Sequence, residues 1–354
     1  MNTMVDYVLE TPEAIHKLVN GNSEITDALK YLIDQKINHI YLVGSGTSYS
    51  VALTCVSLLE KMLNIPVYAF SSMEFVDNVI ILEDNSLVIG LSQAGQSNST
   101  IQALDKARIN GCLTIVVTSN KNSPIVKHAE CCLKINVVEV IGPKTKGYYY
   151  SVVTIILLFA QLQKKLNRLS NDDYCQLVFE ILDVFDDFYN IVNKTQRWYL
   201  SADLPFDKYK NIIVIGYDRC VSAAIEGSLK ILETVKCCVR FYELEEFMHG
   251  IYHGIDDKTL IIALGSKSRH LERMVRLLNY LKEHKNAFCL LATYCESNIL
   301  SFQYPFKESN AFVSFEYLAF LQVIAECMMS QRGMDFNDTS DSNFHRYMNS
   351  YVYE

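Results

Sequence analysis

Ser86-Leu87-Val88-Ile89-Gly90-Leu91-Ser92-Gln93-Ala94-Gly95-Gln96-Ser97-Asn98-Ser99-Thr100 is the stretch that decides the fold. Its apolar first third reads as a strand buried on both faces. Ile101 to Arg108, directly after it, has the spacing of a helix. A Ser-, Gln- and Gly-rich loop between a strand and a helix N-terminus suits an anion, because backbone N–H groups are unpaired there and the helix dipole is positive. The same residues also make an ordinary N-cap, so the neighbouring segments must decide.

Working outward, Asn38 to Val43 reads as a second buried strand, followed by Gly44-Ser45-Gly46-Thr47-Ser48 and a helix from Tyr49 to Met62. Ile65 to Phe70 is a short strand, and a further helix begins at Ser71. Leu113 to Thr118 is a strand, Cys131 to Ile135 an edge strand, and Gly147 to Leu166 a long closing helix. Thr11 to Leu32 reads as a helical segment with an amphipathic pattern, and Asn171 to Asn190 as a connecting helix with an apolar face. Apolar runs alternating with helical patterns predict parallel βαβ units.

The pattern then recurs. Asn211 to Gly216 matches Asn38 to Gly44, Val239 to Glu243 matches the strand at Val67, Leu260 to Ser268 matches Leu87 to Ala94, and Ala287 to Thr293 matches Leu113 to Thr118. The offset is 172 both for Gly44 against Gly216 and for Glu74-Phe75 against Glu246-Phe247. A near-constant offset marks an internal repeat. The expected fold class is therefore α/β, two tandem modules, each a parallel sheet flanked by helices in a three-layer, flavodoxin-like sandwich. The expected division is an N-terminal helical segment (1–34), a first module (35–168), a connecting helix (169–204), a second module (205–332, closed by a helix from Ser314 to Met328) and a C-terminal tail over the site (333–354). Only the first copy keeps both hydroxyl-rich loops. The second has Gly216-Tyr217-Asp218-Arg219 and Gly265-Ser266-Lys267-Ser268 instead, so the anion belongs to the first.

Half of the 354 residues are apolar and the formal net charge is −8, which argues against a nucleic-acid partner. Eleven cysteines, an odd number without paired metal-ligand spacing, suit free thiols in a reducing compartment. The N-terminus lacks the charge and apolar pattern of a signal peptide, and the Val152 to Ala160 run is too short to span a bilayer. A cytoplasmic protein with no membrane partner is the expectation.

Gly44-Ser45-Gly46-Thr47-Ser48-Tyr49 together with Ser92-Gln93-Ala94-Gly95-Gln96-Ser97, in a tandem repeat, resembles the double sugar-isomerase (SIS) family, in particular the isomerase half of glucosamine-6-phosphate synthase. The resemblance covers roughly residues 20 to 354. It implies that Thr47 and Ser48 on the first loop and Ser92, Gln93, Ala94 and Ser97 on the second hold a substrate phosphate, with Gly46 and Gly95 beside them. Ala94 stands where the family has Ser, so only its backbone N–H is left to donate. Lys144, Thr145 and Lys146 match a loop lining the sugar site; read alone, the two lysines are also what a solvated cationic pair looks like.

In the second module, Glu226-Gly227-Ser228-Leu229-Lys230-Ile231-Leu232-Glu233 resembles the helix bearing the family's catalytic carboxylate, which falls on Glu233. Glu246-Phe247-Met248-His249-Gly250 resembles the stretch with the ring-opening histidine, which falls on His249, 16 residues on. His253 is read as structural. The chain shows no glutaminase half, no DNA-reading domain and no Lys after Lys307 to match the synthase's near-terminal lysine. The chain size and the Arg346-Tyr347-Met348 tail look most like the fructosamine-6-phosphate deglycases. That resemblance implies cleavage of a 6-phosphorylated sugar–amine adduct, such as fructoselysine or glucoselysine 6-phosphate, to a hexose 6-phosphate and a free amine. It implies no metal or organic cofactor, and a homodimer or larger homo-oligomer with shared active sites. An amino-sugar phosphate isomerase or deaminase, and a non-enzymatic sugar-phosphate sensor, remain open beside it.

Overall fold

The computed structural model describes residues 2–21, 23–202, 204–293, 298–336 and 343–353. Cys295 and the 337–342 part of the tail lie outside them. The first sheet holds β1 (His39–Gly44), β2 (Val67–Ser71), β3 (Ser86–Leu91), β4 (Leu113–Thr118) and β5 (Cys131–Lys134), all parallel, in the order β2-β1-β3-β4-β5. The second holds β6 (Asn211–Gly216), β7 (Cys238–Glu243), β8 (Thr259–Leu264), β9 (Phe288–Thr293) and β10 (Leu300–Gln303), also parallel, with β7-β6-β8-β9-β10 as the matching order. Two copies of one α/β module are thus present, as the repeat predicts.

The helices are α1 (Met4–Asn20), α2 (Ser23–Leu32), α3 (Thr47–Leu63), α4 (Ser72–Asn78), α5 (Asn98–Ile109), α6 (Lys146–Lys165), α7 (Asn171–Asp186), α8 (Phe188–Ser201), α9 (Cys220–Val235), α10 (Leu244–Met248), α11 (Leu271–Lys285), α12 (Val313–Gln331) and α13 (Phe344–Tyr347). The helical segment expected from Thr11 to Leu32 consists of two helices, α1 and α2, and starts earlier, at Met4, where Glu326 accepts the Val5 N–H (2.7 Å). The connecting segment is also two helices, α7 and α8, broken at Asp187. Strand β10 was not anticipated, because four residues of mixed polarity give no apolar run.

The chain falls into two compact units. One comprises residues 1–12, 141–143 and 182–339, and so holds the second sheet. The other comprises 13–140, 144–181 and 340–354, and holds the first sheet and the tail.

Strands β3 and β8 are buried along their whole length, which is why they read as continuous apolar runs: parallel sheets are covered on both faces. On one face of the first sheet, Tyr41, Val43 and Val88 pack with Phe75, Ala103 and Ala107. On one face of the second, Ile213, Ile215, Ile261 and Ala263 pack with Phe247, Met274, Leu278 and Leu281. Fully burying a side chain of this kind is worth roughly 1.5–3 kcal/mol. The closing helices α6 and α12 are buried nearly all round and apolar accordingly. Helix α12 is long and apolar enough to cross a membrane, but 83% of its apolar window is buried within the protein, so it is the core helix of its unit.

Glu316, in the first turn of α12, is fully buried and accepts the Lys307 N–H at 2.7 Å. Burial pushes its carboxyl up to about 8; the Lys307 N–H opposes the shift and nearby Asp187 adds to it. Below the ordinary value of 4.5, both folded and unfolded chains hold this proton. As pH rises toward about 8, the unfolded chain releases it while the folded chain keeps it, so stability is lost across that window. Glu316→Gln is expected to flatten this slope, read as the urea midpoint at about pH 5 and about pH 8; an unchanged slope contradicts the assignment.

Candidate functional site

In the first sheet, β1 and β3 are neighbours, while their connections lead to β2 on one side and β4 on the other. Where strand order reverses in this way, the loops at the carboxyl ends of the strands splay apart and leave a crevice. Both hydroxyl-rich loops lie there. The first runs from Gly44 into α3, with Gly46 in the left-handed region (φ 59°). The second runs from Leu91 into α5, with Ser97 as N-cap accepting the Thr100 N–H. Ser45 and Ser99 Oγ, 3.4 Å apart, join the two loops.

The second loop is held firmly from behind. Ser92 N–H donates to Val117 O (3.0 Å) and Ile125 N–H to Gly95 O (3.2 Å). Gln93 O accepts from Ser119 N–H (2.9 Å), Ser119 Oγ (2.8 Å) and Thr118 Oγ1 (3.1 Å). Gly95 has φ +72°, and a Cβ there would fall 1.9 Å from Ser123 Oγ, so only glycine fits. Thr47, Ser48, Gln93 and Ser97 are half-buried, Ser92 is buried, and Ala94 is exposed with only backbone to offer.

The tail pairs with this loop from its outer side. Tyr351 forms a bridge with Ser97, Val352 N–H donates to Gln96 O (2.8 Å), and Asn98 N–H donates to Ser350 O (3.0 Å). The rings of His345 and Tyr351 are stacked, with centroids 3.9 Å apart.

Lys144, Thr145 and Lys146 reach the same loop through Glu139, a residue the sequence reading missed. Its carboxylate accepts the N–H groups of Thr145 (2.8 Å), Lys146 (2.7 Å) and Gly147 (3.2 Å) at the start of α6, and the Gln93 side-chain amide (2.8 Å). An internal anion therefore occupies that helix N-terminus, and it aims Gln93 as well. Lys144 Nζ lies 3.4 Å from Glu139 O.

In the unit with the second sheet, Glu226, Lys230 and Glu233 share one face of α9. Lys230 is fully buried, its Nζ 3.2 Å from Glu226 Oε1 and 2.7 Å from Glu233 Oε2. Burial alone would pull the ammonium down, but the two carboxylates outweigh it and hold Lys230 above its ordinary value. Glu226 is fully buried, whereas the Glu233 side chain is one-third exposed. The sequence reading named Glu233 and missed Lys230, although the i, i+4, i+7 spacing was there to read. His249 ends α10 and is 72% exposed; its nearest carboxylate is Glu245 (3.8 Å), not Glu233. His253 is exposed with its ring against Tyr252, centroids 4.2 Å apart.

At the same reversal point of the second sheet, between β6 and β8, the loops after Gly216 and Leu264 lack the run of hydroxyl residues found in the first copy. Tyr217 fills the position, packed in the core, with its hydroxyl donating to Ser266 O. Ser266 in turn donates to Glu308 (2.6 Å), which also accepts from Tyr317 (2.7 Å). Among the described residues, no group of three or more His, Cys, Asp or Glu is arranged to hold a metal ion, and no disulfide joins the ten described cysteines.

Two parallel α/β modules, one with an anion-suited crevice and the other with a lysine-clamped carboxylate, are the features to set beside known proteins. The SIS domain model matches residues 31–163 and 206–303, and the chain belongs to the SIS family. It is 26% identical over 280 residues to the isomerizing glutamine–fructose-6-phosphate aminotransferase of Clostridium acetobutylicum, covering 77% of this chain and 46% of that protein. The Fusobacterium nucleatum enzyme of that name is 25% identical, over 84% of this chain and 49% of its own length. The chain thus spans about half the length of the curated relatives it matches. A Clostridium difficile protein provisionally named a phosphosugar isomerase superposes over the whole of both chains with a TM-score of 0.89 at 26% identity. The C-terminal domain of the glucosamine–fructose-6-phosphate aminotransferase of Francisella tularensis gives 0.81 at 20% identity, over 94% of this chain and 96% of that one.

Lys230→Met would leave the fully buried Glu226 carboxylate and the partly exposed Glu233 carboxylate with no cation between them. It is expected to cost about 3–5 kcal/mol in chemical denaturation, with much of the loss regained in Glu226→Gln/Lys230→Met. A loss below about 1 kcal/mol would show that the clamp is not holding these charges.

Proposed function

We propose that the chain is a sugar-phosphate deglycase, cleaving a 6-phosphorylated sugar–amine adduct to a hexose 6-phosphate and a free amine or amino acid. The observation that carries an enzymatic reading is the α9 carboxylate: Glu233 is partly open to solvent and held by a buried lysine. A sugar-phosphate sensor has no use for such a group. The choice of a deglycase over a phosphosugar isomerase or deaminase rests on the resemblance in the tail and on the chemistry below.

The phosphate binds at the first module through Thr47, Ser48, Ser92, Gln93, the Ala94 N–H and Ser97, with Gly46, Gly95 and the Lys144-Thr145-Lys146 segment alongside. It supplies binding energy remote from the reacting carbons. An adduct already carries its nitrogen, so no enzyme amine is needed to form an imine. His249 opens the sugar ring as general acid and base. Glu233 removes a proton from one of carbons 1 and 2 and returns it to the other, while the amine N–H proton passes to the neighbouring carbonyl oxygen, which becomes a hydroxyl; the adduct is then an imine. Water adds to the imine carbon, its two protons go to the nitrogen, the C–N bond breaks, and the free amine leaves a carbonyl on the sugar phosphate. Lys230 orients Glu233 throughout.

The exposure of His249, and its distance from any carboxylate but Glu245, favour its serving a neighbouring subunit. Glu233→Gln and His249→Ala are each expected to abolish release of hexose 6-phosphate from 6-phosphofructosyl-lysine while remaining folded. Mixed after denaturation and refolding, the two variants should recover up to about a quarter of wild-type activity, because half the dimers then hold one intact pair. Near-wild-type rates in either variant contradict the assignment, and no recovery on mixing contradicts the shared site.

A further inference from the structure

Five hydroxyls, three on the two loops proposed to hold the phosphate and two buried behind them, close into a ring. Their oxygens are separated by 3.1 Å (Ser45–Ser72), 2.9 Å (Ser72–Thr100), 3.0 Å (Thr100–Ser97), 3.2 Å (Ser97–Ser99) and 3.4 Å (Ser99–Ser45). Geometry fixes the sense of two of these bonds: Ser45 donates to Ser72, and Thr100 donates to Ser97. Each hydroxyl has a single proton, which fixes the rest. Thr100 is committed to Ser97, so Ser72 donates to Thr100. Ser45 is committed to Ser72, so Ser99 donates to Ser45. Ser97 is left to donate to Ser99, and the ring runs in one direction.

Ser72 and Thr100 are both fully buried and cannot touch a ligand. Ser97 is half-buried, and it accepts the Thr100 N–H (3.5 Å) as well as the Thr100 hydroxyl. Both of its acceptor positions are therefore filled from within, and its own proton is the one able to turn outward.

We propose that Ser72 and Thr100 are positioning residues that act through Ser97, a buried hydroxyl relay that keeps Ser97 a donor and strengthens it toward a phosphate. The proposal rests on the reading of this loop as the phosphate anchor. When the anion arrives, the Ser97 proton turns from Ser99 to a phosphate oxygen. One ring bond opens, and Ser99, Ser45, Ser72, Thr100 and Ser97 become a chain of donors directed at the charge. No proton is transferred. In such a chain each bond polarises the next, by roughly 10–30% per bond. The second module, which has no hydroxyl-rich loop, has lost the relay too: at the repeat offsets of 172 and 173, Ser45, Ser72, Ser97, Ser99 and Thr100 correspond to Tyr217, Leu244, His270, Glu272 and Arg273.

A double-mutant cycle tests this, with glucose 6-phosphate as the titrant. Thr100→Val is expected to weaken binding by about 3- to 10-fold, and Thr100→Ser to restore it to within about twofold. In a Ser97→Ala background Thr100→Val should add nothing, because its effect passes through Ser97. Should Thr100→Val fail to fold, Ser72→Ala takes its place in the same cycle. Wild-type affinity in the variant, or the same loss with and without Ser97, overturns the relay alone. Wild-type protein that takes up no glucose 6-phosphate overturns the phosphate anchor, and the relay with it.

Discussion

A dianion is held in a protein only where several donors converge and no internal acceptor has claimed them. The order of a parallel sheet decides where that happens. In β2-β1-β3-β4-β5 the connections from β1 and β3 part company, and the loops after Gly44 and Leu91 face the same crevice with two helix N-termini behind them. Everything proposed for the first module follows from that placement: the hydroxyls across the two loops, the left-handed glycines that let the backbone turn, and the bonds from Val117, Thr118 and Ser119 that keep the second loop in place.

The duplication shows which parts of this arrangement are scaffold and which are site. Ser92 N–H to Val117 O recurs as Gly265 N–H to Ala292 O, and Ile135 N–H to Thr118 O recurs as Tyr304 N–H to Thr293 O. The tie from Gln93 to Glu139 recurs as the tie from Ser266 to Glu308. Gly46, one residue before α3, and Asp218, two residues before α9, both have positive φ. These features are common to both copies and belong to the fold. The hydroxyls are not shared: where Ser45 stands in one copy, Tyr217 stands in the other, filling the space with a buried ring. One copy keeps the hydroxyl-rich loops proposed to hold an anion, and the other keeps a carboxylate on α9.

Much of this was legible in the sequence. Apolar strands buried on both faces and a repeat offset of 172 specify two parallel modules, and hydroxyl loops in one copy alone specify which module suits an anion. What the sequence did not disclose has physical reasons. Strand β10 is an edge strand too short to show a pattern. The break between α7 and α8 falls at Asp187, whose carboxylate accepts from the Tyr304 hydroxyl, so a tertiary contact marks it rather than proline or glycine. Glu139 looked like a solvated charge in a loop, and its role appears only when the N-terminus of α6 folds back onto it. Lys230 was readable from its spacing to Glu226 and Glu233, but its complete burial was not.

On the proposed reading, two copies of one fold divide the work unequally, with the phosphate held by the first copy alone. Calorimetric titration of the wild-type protein with glucose 6-phosphate tests this most directly. One equivalent bound per chain is the predicted result; two equivalents per chain, or none, would contradict it.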